Sequence, residues 1–244
     1  MPRANRIFCP GHVWHITHRC HQRQFLLKFL RDQRRWRHWL FEAKRRYGLS
    51  VLNYIVTSNH IHLLCADQGR DEIPRSLQLI QGRVAQEFNA RKKRRGAFWE
   101  DRYHATAVQA DGHLARCITY IDLNMVRARA VAHPREWEVS GYNEIQSPPG
   151  RSRIIDIPVL TRLLQIETHG HLAAMQNRLV DEEIGRARRA PAWTESIAVG
   201  DRAYLQQVRT DLGLRGPRRK IRTEGDIQAL GEPHPEYWPI SDSK

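Results

Sequence analysis

The chain lacks the features that would tie it to an oxidising compartment or a membrane. Its 244 residues include four cysteines, Cys9, Cys20, Cys65 and Cys117, widely spaced and without a CxxC or CxxH pair. That excludes a disulfide framework and the usual structural zinc site, and leaves reduced thiols. No apolar run approaches the roughly 18 residues of a membrane span, and the opening MPRANRIFCPGH has no apolar core of a secretory signal. A cytoplasmic protein is expected. Internal repeats are absent, and so is any HExxH helix, which removes the commonest frame for a zinc hydrolase.

What the chain has in excess is positive charge. The formal net charge is +14 with a pI near 10.3, a field that attracts polyanions. Residues 1–150 hold 25 Lys and Arg against 13 Asp and Glu, a net of +12, while residues 151–244 hold 15 against 13, a net of +2. The anion-binding work therefore belongs to the first part. Arginine outnumbers lysine there, which suits planar, bidentate contacts to phosphate. Nucleic acid is the partner this asymmetry favours over a merely solvated basic face.

Hydrophobic periodicity predicts a strand over 12–19, with Val13, His15 and Thr17 on one side and Trp14, Ile16 and His18 on the other. A helix follows over about 31–47, with Trp36, Trp39, Leu40 and Ala43 at helical spacing and Gly48 as its stop. Two β-rich runs, 51–57 and 60–66, are joined by Ser58-Asn59. A second helix over about 73–91 carries Leu77, Ile80, Val84 and Phe88 and ends in Arg91, Lys92, Lys93, Arg94 and Arg95. A strand over about 105–109 precedes a helix from 112 to 130 capped by Asp111. The order implies an α/β (α+β) sandwich, an antiparallel sheet with helices packed on it. Beyond Ser147-Pro148-Pro149-Gly150 the composition changes. We read 1–150 as one catalytic domain and 151–244 as a small helical extension, loosely ordered from Gly213 on.

His60 and His62 are two apart on a strand, so both imidazoles lie on one face, roughly 6–7 Å apart at Cα. One divalent ion can bridge them. The spacing alone is weak, because paired histidines on a strand are often structural. Tyr120 and Asn124, four apart on the predicted helix, share a face one turn apart. A phenol can attack phosphorus to give a covalent phosphodiester, and an amide oxygen is a hard ligand for the ion that polarises that phosphate. There is no carboxylate pair of the two-metal kind.

At these residues the chain resembles the HUH single-strand transposases with one catalytic tyrosine, and among them the REP-associated tyrosine transposases. The resemblance covers about residues 6–145. It is carried by GHVWHITHR, by VTSNHIHLL at Val56–Leu64, by FWEDRYH at Phe98–His104 and by YIDLNMVRA at Tyr120–Ala128. Where relatives often read YIxxNPVRA, this chain has Met125 in place of proline. The resemblance implies an RRM/ferredoxin-like HUH core, with His60 and His62 as the metal pair, Asn124 as the remaining ligand and Tyr120 as the nucleophile. It further implies cleavage of single-stranded DNA through a 5'-phosphotyrosine link that can be reversed on another strand. It points to Mg2+ or Mn2+. Two imidazoles favour zinc, manganese or nickel over magnesium, so manganese is the ion expected to serve best in vitro.

The expected partner is single-stranded or hairpin DNA, met at the nucleoid by a monomer or homodimer. Arg91–Arg95, Arg102 and Arg127 are the expected DNA contacts. Trp99 and Tyr103 flank Arg102 and could stack on unpaired bases, with burial the stronger expectation for Trp99. His12, His15, His18 and His21 match no ligand spacing and read as surface or strand residues. The His60–His62 pair is expected to be exposed on its sheet face. On residues alone two other readings stand: a non-catalytic, RRM-like nucleic-acid-binding module, and a zinc hydrolase missing its third ligand.

Overall fold

The computed structural model describes residues 11–186, 189–213, 216–217 and 219–231. Strand β1 is Val13–Arg19, and helix α1, Leu30–Tyr47, ends at Gly48, whose φ of 71° lets its N–H reach back to the Lys44 carbonyl. Strands β2, Ser50–Val56, and β3, His60–Ala66, form the expected hairpin, and helix α2, Glu72–Lys92, follows. Strand β4, His104–Val108, leads to helix α3, Gly112–Asp122, where the Asp111 carboxylate accepts from the His113 N–H at 2.9 Å. The helix expected to run to 130 breaks at Leu123 (ψ 5°) and resumes as α4, Asn124–Arg127. At the break the Asp122 carboxylate turns inward and accepts from Asn53 and Gln176.

The remaining elements are α5 (Gly141–Gln146), α6 (Ile157–Leu163), α7 (His169–Glu183), α8 (Ala192–Glu195), β5 (Ala198–Val199), α9 (Arg202–Asp211), β6 (Lys220–Glu224) and β7 (Ile227–Gly231). The second part thus supplies the expected helices and three strands as well. The β6–β7 hairpin lies in the stretch expected to be loosely ordered. Its glycine serves the turn, with Gly225 at φ 63°, and its inner positions are apolar, with Ile227, Ala229 and Leu230 buried. Trp238 lies outside the described residues.

Among the described residues all seven strands join one sheet in the order β2-β3-β1-β4-β5-β7-β6. Every pairing is antiparallel except β4 with β5. The period of two sorts each strand into faces. On one face Trp14, Ile16, Tyr54, Ile61 and Leu63 are buried, and Trp36 of α1 meets Tyr54 there. Helix α2 lies on the same side, through Phe88, Phe98, Trp99 and His18 in successive ring contact. The opposite face presents His15, Asn53, His62 and Thr106, all buried, beneath α3 and α8. Among the described residues no helix is long and apolar enough to cross a membrane.

Helix α5 approaches β2 so closely that a Cβ on Gly141 would lie 2.1 Å from Asn53 Oδ1 and 3.0 Å from the Tyr54 N. A Cβ on Gly82, exposed in the interior of α2, would meet nothing within 4 Å. Gly141→Ala is therefore expected to destabilise the protein by about 1–3 kcal/mol, and Gly82→Ala to stabilise it by about 1 kcal/mol. Urea denaturation measures both. Equal midpoints for the two variants would contradict this packing of α5 on β2.

Candidate active site

Tyr120 reaches the polar sheet face from the last turn of α3. Its ring centroid lies 6.1 Å from that of His62, 6.2 Å from His15 and 6.2 Å from Trp193 of α8. The Arg127 guanidinium sits over the Tyr120 ring at 4.0 Å and donates to the Tyr120 carbonyl at 2.6 Å. That is a cation–π contact made within the helical turn following the tyrosine. Burial pushes the phenol above its ordinary pKa, and the charge of Arg127 and a hydrogen bond with the Thr194 side chain oppose that rise. At neutral pH the group is a phenol, and Arg127 is the positive charge best placed to steady a developing phenolate.

The two sheet histidines stand edge to face with centroids 5.0 Å apart. His62 is only 2% exposed, which corrects the expectation of an exposed pair. Helices α3 and α8 cover it, so the site is a buried cleft instead of an open sheet face. Burial lowers His60 to about 4, with Arg19 and Arg127 adding to the effect, and holds His62 well below its ordinary value. Both imidazoles are neutral at pH 7, the form that ligates metal. His60 Nδ1 lies 2.7 Å from Asn59 Oδ1 and 2.9 Å from Thr57 Oγ1. Because the Asn59 oxygen can only accept, the proton sits on Nδ1 and Nε2 carries the lone pair.

Asn124 Nδ2 lies 2.9 Å from His62 Nε2, so the break at Leu123 still leaves the amide beside the imidazole. Turning that amide over would set Oδ1 against the same lone pair, an arrangement that asks for a cation between them. Among the described residues no three His, Cys, Asp or Glu side chains converge as a metal cage. The donors that fit a divalent ion are two neutral imidazoles and one amide oxygen, with room left for phosphate oxygens.

The expected DNA contacts separate. Arg127 belongs to the site. Arg91 is engaged by Asp32, and Arg94 donates to Asn89 and to the Ala97 carbonyl. Lys92, Lys93 and Arg95 are exposed at the end of α2, which lies behind the sheet from Tyr120. Arg102 is exposed just before β4. The Trp99 ring stacks on His18 at 4.3 Å, and its N–H donates to Gln81, which makes it packing. A groove of about 700 Å³ between α1 and α2 is lined by Arg34, Arg35 and Arg91. These are neutralised by Glu138, Glu87 and Asp32.

Sequence reasoning missed three features. His15 is buried against His62, and Trp193 and Thr194 come from beyond residue 150. Phe25 and Phe29 are 66% and 59% exposed, and Lys92 Nζ lies 5.5 Å from the Phe29 ring. Their loop is pinned beside His60, since the Leu27 N–H donates to Ser58 and the Cys20 N–H to Asn59. Strand register, which brings His15 to His62, leaves no mark in one strand's sequence. The exposed aromatics do stand in the sequence, but exposure is not legible there.

A family model for IS200-like transposases matches residues 10–124, the segment that holds β1 through Asn124. That segment is similar to the IS200-like transposases. The structure of a REP-associated tyrosine transposase bound to a REP hairpin is similar to this chain with a TM-score of 0.51 and 19% identity. It covers 61% of this chain and 87% of the other, and at that identity the likeness is one of fold. A second solved structure, from Deinococcus radiodurans, aligns over 42% of this chain and 83% of its own at 16% identity and a TM-score of 0.34. No curated protein matches the chain.

The separation of the basic residues has a measurable consequence. Replacing Lys92, Lys93 and Arg95 together by alanine should flatten the dependence of log affinity on log salt by about 0.7 for each single-strand phosphate they neutralise. Replacing Arg91 and Arg94 should lower stability and leave that slope unchanged. Salt titrations of binding to a labelled oligonucleotide would expose the reverse pattern.

Proposed function

We propose that the protein cuts and rejoins single-stranded DNA through a 5'-phosphotyrosine link on Tyr120, acting on hairpin-bearing sequences of the chromosome. The observation that carries this reading is the meeting of Tyr120, His62, Asn124 and Arg127 within one covered cleft, each approach at 6.1 Å or less. The similarity of residues 10–124 to the IS200-like transposases supports it. The hairpin is inferred from the REP hairpin bound to the structurally similar transposase.

In the proposed step the phenolic oxygen of Tyr120 attacks the scissile phosphorus and loses its proton. The bond from phosphorus to the 3'-oxygen breaks, and that oxygen leaves as a 3'-hydroxyl. Attack by another 3'-hydroxyl on the phosphotyrosine reverses the sequence and joins strands without ATP, because the covalent link conserves the phosphodiester energy. Arg127 balances the charge that grows on the phenolic oxygen. His60, His62 and Asn124 would hold a divalent ion, Mg2+ or Mn2+, which when bound supplies Lewis-acid polarisation of the phosphate. Phe25 and Phe29 give unpaired bases a stacking platform at the His60 end of the sheet, with Lys92 beside them for the backbone.

Tyr120→Phe should abolish the covalent adduct with a labelled single-stranded hairpin oligonucleotide in Mn2+ while binding stays within about twofold, since only the nucleophilic oxygen is removed. Adduct formation by the Phe variant at a comparable rate would show another nucleophile. For the metal, His60→Ala and His62→Gln should weaken Mn2+ by about 10–100-fold in calorimetry, and Asn124→Ala by less, because water can replace an amide oxygen. Gln is chosen at position 62 to spare the buried site a cavity. Unchanged affinity in both histidine variants would remove the metal assignment.

A further inference from the structure

His15 takes no part in the step above, yet it is fully buried in the cleft and both its ring nitrogens are engaged. Its Nδ1 lies 2.8 Å from the Trp193 carbonyl oxygen, and its Nε2 lies 2.8 Å from His62 Nδ1. The two rings are nearly parallel, 16° apart. A carbonyl oxygen only accepts, so His15 carries its proton on Nδ1. At the far end the Asn124 amide nitrogen donates to His62 Nε2, so His15 Nε2 is left as the acceptor between the two rings. His62 must then donate from Nδ1. That leaves the His62 Nε2 lone pair pointing at Asn124, 2.9 Å away. Free imidazole in water prefers the other tautomer, with its proton on Nε2, where it would block ligation. The chain of bonds fixes the less favoured one.

We propose that His15, anchored by the Trp193 carbonyl, is a positioning residue that locks His62 in the tautomer able to bind a divalent ion, making the α8 segment part of the catalytic site. The proposal rests on His62 being a ligand. Its physical basis is general: a ligating histidine holds its orientation and basicity by donating its other N–H to a fixed acceptor. Here the acceptor is a second histidine, itself oriented by a backbone carbonyl. The same segment also returns to β4, as the Ser196 carbonyl accepts from Thr106 at 2.7 Å and pairs with the His104 ring at 2.9 Å. Together these bonds hold α8 against the polar face.

Two measurements on the full-length, DNA-free protein test this. Imidazole 15N–1H correlation spectra of the metal-free chain should show both His15 and His62 protonated on Nδ1; a His62 proton on Nε2 overturns the proposal. In Mn2+ calorimetry, His15→Phe keeps the ring's bulk but loses both bonds, and should weaken binding by about 10–100-fold. His15→Gln, whose amide can both donate and accept, should stay within about threefold of the parent. An affinity unchanged in His15→Phe, or equal losses in Phe and Gln, overturns the relay. The spectra use the unaltered chain and decide the matter even where the Phe variant fails to fold. If Mn2+ fails to bind the parent, the metal reading falls, while the tautomer still reports on the relay.

Discussion

The register of β1 on β3 is the constraint on which the site depends. Thr17 stands opposite His62 and His15 opposite Leu64, so His15 and His62 are diagonal neighbours on the polar face, close enough for their rings to hydrogen-bond. A slip of one residue would carry His15 to the other face, into the layer that α1 and α2 cover. The apolar residues that alternate with these histidines prevent the slip. Ile16, Ile61 and Leu63 are each at most 1% exposed, and moving them to the polar face would cost about 1.5–3 kcal/mol apiece. The hydrophobic half of the sheet thus sets the geometry of its chemical half.

Burial does a second service. Histidines in water would be protonated part of the time near neutral pH and would repel a divalent cation. In the cleft, desolvation and the nearby Arg19 and Arg127 depress them, so the proposed ion would meet neutral imidazoles. The same desolvation raises Tyr120, which keeps its side chain a phenol at neutral pH. Arg127 is the common element, because its charge disfavours imidazolium and favours phenolate at once. Its stacking on Tyr120 ties both effects to the turn after Leu123.

Much of this is legible in the sequence. Period two in HIHLLCA puts His60 and His62 on one face, Gly48 and Asp111 mark helix ends, and the order of strands and helices indicates an antiparallel sheet under helices. The break at Leu123 is not legible, because nothing local demands it; it follows Asp122, whose carboxylate is drawn in by Asn53 and by Gln176, more than 50 residues away in the chain. Arg91 and Arg94 resemble phosphate contacts for the same reason that makes any basic run look so. Arg91 finds its partner Asp32 by tertiary contact, and Arg94 finds the Ala97 carbonyl in the turn that follows it. His15 escapes a ligand search by spacing, which cannot see a residue that acts through another ring.

The change of composition at residue 150 marks a change of charge more clearly than a change of structure. Helix α5 carries Glu144, whose carboxylate accepts from the Ile154 and Ile155 N–H groups at 2.5 and 2.8 Å, so the chain is stitched across the break at once. Asp156 accepts from Ser50 of β2 at 2.9 Å, and β5 adds to β4 in parallel. Parallel addition needs a long crossover, and the residues between β4 and β5 provide it: α3 with Tyr120, then α5 to α7, then α8 with Trp193. A connection required by topology therefore delivers both Tyr120 and the carbonyl that orients His15 to the same sheet face. The near-neutral charge of the second part fits that role, since a segment packed against buried histidines contributes shape and hydrogen bonds, while the excess of positive charge lies in the first part.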